Sequence, residues 1–429
     1  MSSPIIVAGA THDIALDHHQ ARMRFLLISL LSALSVVTHA LPAQQVPLLR
    51  HAANNRTVSP ELFSDLEELA RVVDISYCVG LTGIGISKPF KCLSRCSEFP
   101  EFELVKTWNT GQLMSDSCGY IALSHSQTNP RIIVAFRGTY SIANTVVDLS
   151  TVPQEYAPYP GDPGSDTTGD DEAGTPRCNN CTVHTGFYSS WKVASSAVLP
   201  DLEAAIAAYP DYALTLVGHS LGGAVAALAG LEFVSRGWNP TVTTFGEPRL
   251  GNTALNHYLD QRFNLLDSTR EVWTDSVDER QLHYRRVTHV DDPVPLLPLT
   301  EWGYRMHAGE IYISKSALTP DIQDLHHCAG DEDHQCIAGQ DGSLSTESIL
   351  TKRNDLRAQV KRSVDDLTEE HELEKRDIGS WVVPSRYKLW QLFFSHRDYF
   401  WRLGLCVPGG DPWDWNRRPY APLDDEDQH

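Results

Sequence analysis

Residues 214–230 read LTLVGHSLGGAVAALAG. An apolar run of strand length, 214–217, is followed by a serine between glycines. Helix-forming composition then continues from position 221 to about 234. The junction Gly218-His219-Ser220-Leu221-Gly222 fits G-x-S-x-G. A sharp strand-to-helix turn of that kind holds its serine in a strained conformation, and bulk two residues to either side would clash. The hydroxyl stands at a helix N-terminus, where developing negative charge is stabilised. An ordinary glycine-rich turn could carry the same five residues. Their place between strand and helix, with Gly223-Ala224 available for close packing, favours a nucleophile elbow at Ser220.

The chain has 429 residues, 41% of them hydrophobic, enough for one large α/β domain with appendages or for two domains. Its formal net charge of -20 argues against nucleic acid and against an anionic membrane surface as partners. Part of that charge lies in GDPGSDTTGDDEAGT and in the C-terminal DDEDQH, which read as solvated loop and tail.

A secretory signal is expected near the start. MRFLLISLLSALSVVTHALP opens at Met23 with Arg24, runs through an apolar stretch over 25–37, and reaches Thr38-His39-Ala40, an A-x-A-like cleavage site. The apolar run is too short to span a bilayer. Residues 1–22 carry His12, Asp13, Asp17, His18 and His19, unlike a basic leader, so Met23 is the expected true start and Ala40 the last residue removed. An uncleaved signal anchor is the other reading.

Export suits the nine cysteines. Spacing pairs Cys92 with Cys96, Cys178 with Cys181 and Cys328 with Cys336, while Cys78 and Cys406 lie near the two ends of the expected domain. An oxidising compartment would make these disulfides and leave Cys118 as a buried thiol. Zinc at Cys178-Asn-Asn-Cys181 would need a second pair at finger spacing, and the sequence offers none. Asn55-Arg-Thr and Asn180-Cys-Thr are glycosylation sequons.

Residues 61–77 carry a helical apolar spacing. YIALSH and RIIVAFRG read as strands, residues 186–209 as a helix, and YALTLVGHS as the strand into the elbow. TVTTFGEPRLGN, YRRVTHVDDPVPLLP and AGEIYIS supply further strands, with a helix over 252–263. Strands alternating with helices imply an α/β fold whose sheet is largely parallel in its centre. Residues 341–377 differ in character: they are highly charged and contain Lys352-Arg353, Lys361-Arg362 and Lys375-Arg376. They read as a solvated insertion, open to dibasic processing, or as a plain surface helix.

A serine nucleophile needs a base, and the base needs an orienter. In this architecture the chain order is Ser, then an acid at the end of a later strand, then His. The acids available in VTHVDDPVP are Asp291 and Asp292. The histidines available are His307, His326, His327, His334, His371 and His396. Order and spacing do not choose among them. His219 is excluded as the base because neighbouring side chains at an elbow point apart; it is expected to pack beneath the turn.

From about 77 to 406 the sequence resembles the fungal class 3 lipases, a family that also contains a feruloyl esterase branch. The resemblance lies in AFRGTYSIAN, CNNC, YPDYALTLVGHSLGGA, FGEPRLGN, RVTHVDDPVPLLP, GYRMHAGEIYI and HRDYFWRLGLC, which follow one another in the family's order. It implies an α/β-hydrolase fold over 41–408 and a Ser220–Asp292–His396 triad, because T-H-x-x-D-x-V-P selects Asp292 over Asp291 and H-x-x-Y-F selects His396. It also implies an oxyanion hole at Thr139 and Leu221, and a Cys78–Cys406 disulfide. Residues 409–429 remain an acidic tail. The triad chemistry calls for no metal or cofactor, and a monomer is expected.

In the lipase branch a lid follows the oxyanion turn, here at residues 141–149. Ile142, Val146 and Leu149 fall at i, i+4 and i+7, with Asn144 and Asp148 on the other side. Thr145 stands where the family's lid often has tryptophan. The resemblance thus implies a secreted carboxylic ester hydrolase, a triacylglycerol or other acylglycerol lipase at a lipid–water interface. The alternatives are a feruloyl esterase acting on plant cell wall, supported by YPDYALT, FGEPR, CNNC and CAGDEDHQC, and an inactive hydrolase-fold binding protein.

Overall fold

The computed structural model describes residues 56–80, 85–111, 117–139, 153–159, 178–265, 279, 282–340 and 394–407. These lie within one compact unit, Asn54–His429. The expected signal, Asn55, the lid residues Ile142, Val146 and Leu149, the insertion at 341–377 and the acidic tail all lie outside the described residues.

Helix α1, Pro60–Ile75, starts where Ser59 accepts a hydrogen bond from Leu62 N at 3.1 Å, with proline in the first helical position. Its apolar stripe, including Leu62, Leu66, Leu69 and Val73, is buried. Strands β1 (Phe102–Asn109), β2 (Cys118–Ser124) and β3 (Arg131–Phe136) form an antiparallel meander. Short strands β4 (Pro153–Glu155) and β5 (Thr182–His184) pair apart from it. Helix α2, Thr185–Ala208, leads to β6, Ala213–His219. Helix α3, Leu221–Ser235, leads to β7, Thr241–Phe245. Helix α4, Thr253–Arg262, is capped by Asn252 and precedes β8, Tyr284–His289. Strands β9 (Glu310–Ile313) and β10 (Leu325–His327) close the sheet, and β11 (Asp398–Tyr399) with β12 (Trp401–Arg402) makes a small ribbon.

Eight strands run in the order β1-β2-β3-β6-β7-β8-β9-β10. The pairs from β3 to β9 are parallel and the edges antiparallel, matching the expected parallel centre. A parallel sheet must be covered on both faces, so its strands read as apolar runs. Every residue of β2, β3 and β8 is buried. One core holds Phe187, Trp191, Leu228 and Phe233 from α2 and α3. A second holds Leu66 and Val73 from α1 with Phe245, Tyr399 and Trp401. Burying a large apolar side chain of this kind contributes about 1.5–3 kcal/mol. The carboxyl ends of β6, β7 and β8 therefore come side by side, between two rigid layers.

The expected helices and strands agree with these elements to within a few residues at their ends. Strands β1 and β10 go beyond them. FELVKTWN alternates only in part, because a register shift between Leu104 and Lys106 breaks the period of two. Leu325–His327 is three residues long, too short for any period to appear.

Candidate active site

Ser220 sits between β6 and α3 with φ 58° and ψ -131°, a left-handed conformation uncommon for a residue with a side chain. Two backbone bonds hold it there: Ser220 N donates to Phe245 O at 2.9 Å, and Gly223 N donates to Ser220 O at 2.8 Å. A Cβ at Gly218 would come 2.5 Å from the Gly222 carbonyl carbon and 2.7 Å from Gly223 N, so the first helical turn can approach the strand only over glycine. The strain at Ser220 is imposed by its surroundings.

Asp292 follows β8 in a tight turn in which its N–H reaches His289 O at 3.0 Å. Its carboxylate is buried and fully engaged. Oδ1 accepts from Val294 N at 2.9 Å, Oδ2 accepts from the Tyr399 hydroxyl, and His396 Nδ1 lies 3.0 Å from Oδ1 and 2.9 Å from Oδ2. A carboxylate only accepts, so His396 carries its proton on Nδ1. His396 Nε2 is buried and makes no hydrogen bond among the described residues. A buried nitrogen without a partner is rare and points to chemistry. Gly246, at φ +61°, packs against the pair: a Cβ there would stand 2.8 Å from Asp292 Oδ2 and 2.9 Å from His396 Cε1. A strained serine ends β6, and just past β8, one strand beyond β7, a buried carboxylate holds an oriented imidazole from the turn Ser395–Arg397. That arrangement suits acyl transfer through a covalent intermediate.

The match to known proteins agrees. The family model for lipase (class 3) matches residues 133–302. The chain is 49% identical to secreted mono- and diacylglycerol lipase 2 of Gibberella zeae, over 94% of this chain and 98% of that protein. The chain belongs to the class 3 lipase family. It is also 51% identical to Lipase A of Sodiomyces alcalophilus, over 85% of this chain and 86% of that one. Lip2 lipase from Yarrowia lipolytica superposes with a TM-score of 0.61 at 27% identity, over 82% of this chain and 97% of that structure. The class 3 lipase described here is thus a secreted carboxylic ester hydrolase. The lipase names of both relatives favour the lipase branch over the feruloyl esterase branch, and membership among enzymes replaces the binding-protein alternative.

The other sequence candidates are held elsewhere in the lipase. Asp291 is half-buried, and none of the hydrogen bonds to His396 among the described residues comes from it. His307 is locked in a buried network: Nε2 lies 2.9 Å from Glu247 Oε1 and Nδ1 lies 2.8 Å from Ala308 O. His327 Nε2 lies 2.6 Å from Glu279, and His326 stands beside Tyr312. His334 is exposed, and His371 lies outside the described residues. Thr139 is half-buried just after β3. Its neighbour Gly138 abuts the nucleophile, since a Cβ on Gly138 would come 2.9 Å from Ser220 Cβ. Leu221 is the first residue of α3. Gly138, next to Thr139, and Leu221, next to Ser220, thus both lie against the nucleophile turn.

Sulfurs are joined at Cys78–Cys406, Cys92–Cys96, Cys178–Cys181 and Cys328–Cys336, and Cys118 is a buried thiol donating to Asn109 Oδ1 at 3.0 Å. Asn180 is exposed in a left-handed turn. Sequence reasoning missed Tyr399 and Gly246 at the site. Each lies inside a motif already singled out, HRDYFWRLGLC or FGEPRLGN, but neither residue type signals a role without its contacts.

Proposed function

We propose that the chain is an acylglycerol lipase whose triad is Ser220, His396 and Asp292. Ser220 Oγ attacks the ester carbonyl carbon while His396 Nε2 takes the hydroxyl proton. The tetrahedral oxyanion is received by the N–H groups of Thr139 and Leu221 and by the Thr139 hydroxyl. His396 then gives its proton to the departing glycerol oxygen, leaving an acyl-enzyme. Water enters, passes a proton to His396 as its oxygen bonds to the acyl carbon, and the Ser220 Oγ–carbon bond then breaks as His396 returns the proton to Ser220 Oγ and the fatty acid leaves. Asp292 fixes the imidazole tautomer and stabilises the imidazolium. The observation that carries this reading is the pair of contacts, 2.9 and 3.0 Å, from His396 Nδ1 to a carboxylate also held by Val294 N and Tyr399, with Nε2 left available.

The name of the Gibberella zeae relative supports mono- and diacylglycerols as substrates beside the triacylglycerol expected from the sequence. We further assign the mature enzyme to residues 41–408 as a monomer acting at a lipid–water interface, with Asn55 and Asn180 as its glycan acceptors. Emulsions of mono-, di- and triacylglycerol, compared with methyl ferulate, test the reading. Glyceride turnover that disappears in Ser220→Ala, with little ferulate turnover, is expected. Strong ferulate turnover without glyceride turnover would reverse the substrate assignment.

A further inference from the structure

His219 stands next to the proposed nucleophile, and its side chain reaches the base from behind. The ring is buried at 2% exposure. Its Nε2 lies 2.8 Å from the backbone carbonyl oxygen of His396, 177 residues later. A carbonyl only accepts, so Nε2 carries the proton. Its Nδ1 lies 2.5 Å from the Tyr77 hydroxyl, which can donate to it when the ring is neutral. The rings of His219 and His396 are stacked, with centroids 4.8 Å apart and planes at 28°. The Tyr399 ring stands edge-on, 6.0 Å away.

The three-residue turn that bears His396, Ser395–Arg397, lies outside the eight-stranded sheet. No ladder bond from that sheet aims it. We infer that His219 is a positioning residue: its Nε2–H fixes the main chain of His396, and its ring face supports the imidazole, so the neighbour of the nucleophile sets the aim of the base. The inference rests on the triad reading. Burial, reinforced by the nearby His396 and Arg397, holds His219 well below the usual histidine range, against the pull of the His396 carbonyl. A neutral ring matters, because a charged one at this distance would oppose the imidazolium that His396 must become.

The test uses the full-length enzyme on a dissolved short-chain ester. His219→Phe keeps an aromatic face but loses the donor. Turnover should fall by up to about 100-fold with KM nearly unchanged, the scale of a misplacement of about 1 Å. The acidic limb of the pH–rate profile should also move. His219→Gln places an amide N–H near the lost Nε2–H and should restore most of the turnover. His396→Ala, assayed alongside, separates the two readings, because its survival would sink the triad itself. Thermal unfolding establishes that each variant is folded. With His396→Ala inactive, wild-type turnover in His219→Phe would overturn the positioning role. So would a folded His219→Gln as impaired as His219→Phe.

Discussion

Asp74 and Gly404 stand 330 residues apart and meet through a 2.9 Å hydrogen bond from the Gly404 N–H to Asp74 Oδ1. The bond is one of several that fasten onto α1 the segment around the ribbon that follows the His396 turn. Trp401 Nε1 donates to Glu67 at 2.7 Å, and the Arg95 guanidinium lies 4.5 Å from the Trp401 ring centre and 3.4 Å from Asp74. Cys78–Cys406 closes the same joint covalently. The base of the proposed triad is therefore held by residues from the first helix of the described fold.

This joint should make stability depend on pH. Burial pushes Asp74 up from 3.8 to about 6, although Arg95 and the Gly404 N–H pull it down. The folded state then holds the Asp74 proton more tightly than the unfolded chain does. The resulting stabilisation is fully present below about pH 3.8 and lost as pH rises through about 6. Asp74→Asn cannot titrate. Denaturant unfolding between pH 4 and pH 7 should show the variant gaining on the wild type by up to about 3 kcal/mol as pH rises, on the linkage scale of about 1.4 kcal/mol per pKa unit. The attraction of Arg95 for the ionised carboxylate is already contained in that value of about 6, so any further difference between Asn and the protonated Asp74 is an offset independent of pH. Parallel pH profiles would refute the assignment.

The two neighbouring aspartates should separate sharply. Asp292→Asn should cut turnover about 10⁴-fold, because the amide disturbs the imidazole tautomer. Asp291→Asn, at a half-buried position without a bond to His396, should stay within a few-fold of wild type. Steady-state kinetics on a soluble ester decides this, and equal impairment of the two would remove Asp292 from the triad.

Gly246→Ala places a methyl group against both Asp292 Oδ2 and His396 Cε1 at a left-handed φ. Turnover should fall by about 100-fold or more through displacement of the pair. The rate of labelling by a serine-directed phosphonate should fall with it, since the same base activates Ser220 in both reactions. A normal labelling rate would mean that the pair tolerates the methyl group.

Removing Cys78–Cys406 by double alanine substitution should destabilise the enzyme by roughly 5 kcal/mol in the loop-entropy account, the cross-link spanning 328 residues. Removing Cys328–Cys336, which spans 8, should cost roughly half as much. Unfolding midpoints measured with intact controls give the comparison. An equal loss for both would show that loop length does not govern these links.

The elbow was legible in the sequence because everything that makes it is local. Strand, serine, glycines and helix lie within 17 residues, and the steric demand that selects glycine at 218 arises from the next few residues of backbone. The α/β alternation was legible for the same reason, since hydrophobic periodicity is a property of each segment alone. Asp292 and His396 were different. Chain order allowed two acids and six histidines, and only family motifs chose among them.

Tertiary structure decided which groups meet. The 103 residues between Asp292 and His396 carry no local signal of their 2.9 Å contact, which exists because β8 ends beside β7 while the Trp401 ribbon is fastened to α1. The placing of His219 behind His396, of Tyr399 on Asp292 and of Gly246 against both arises in the same way. What the sequence by itself determined was the elements and the nucleophile turn, because short-range sterics and apolar period act along the chain. What only the folded structure decided was the company each polar side chain keeps. Burial leaves such groups few partners, and those partners come from the packing of layers distant in sequence.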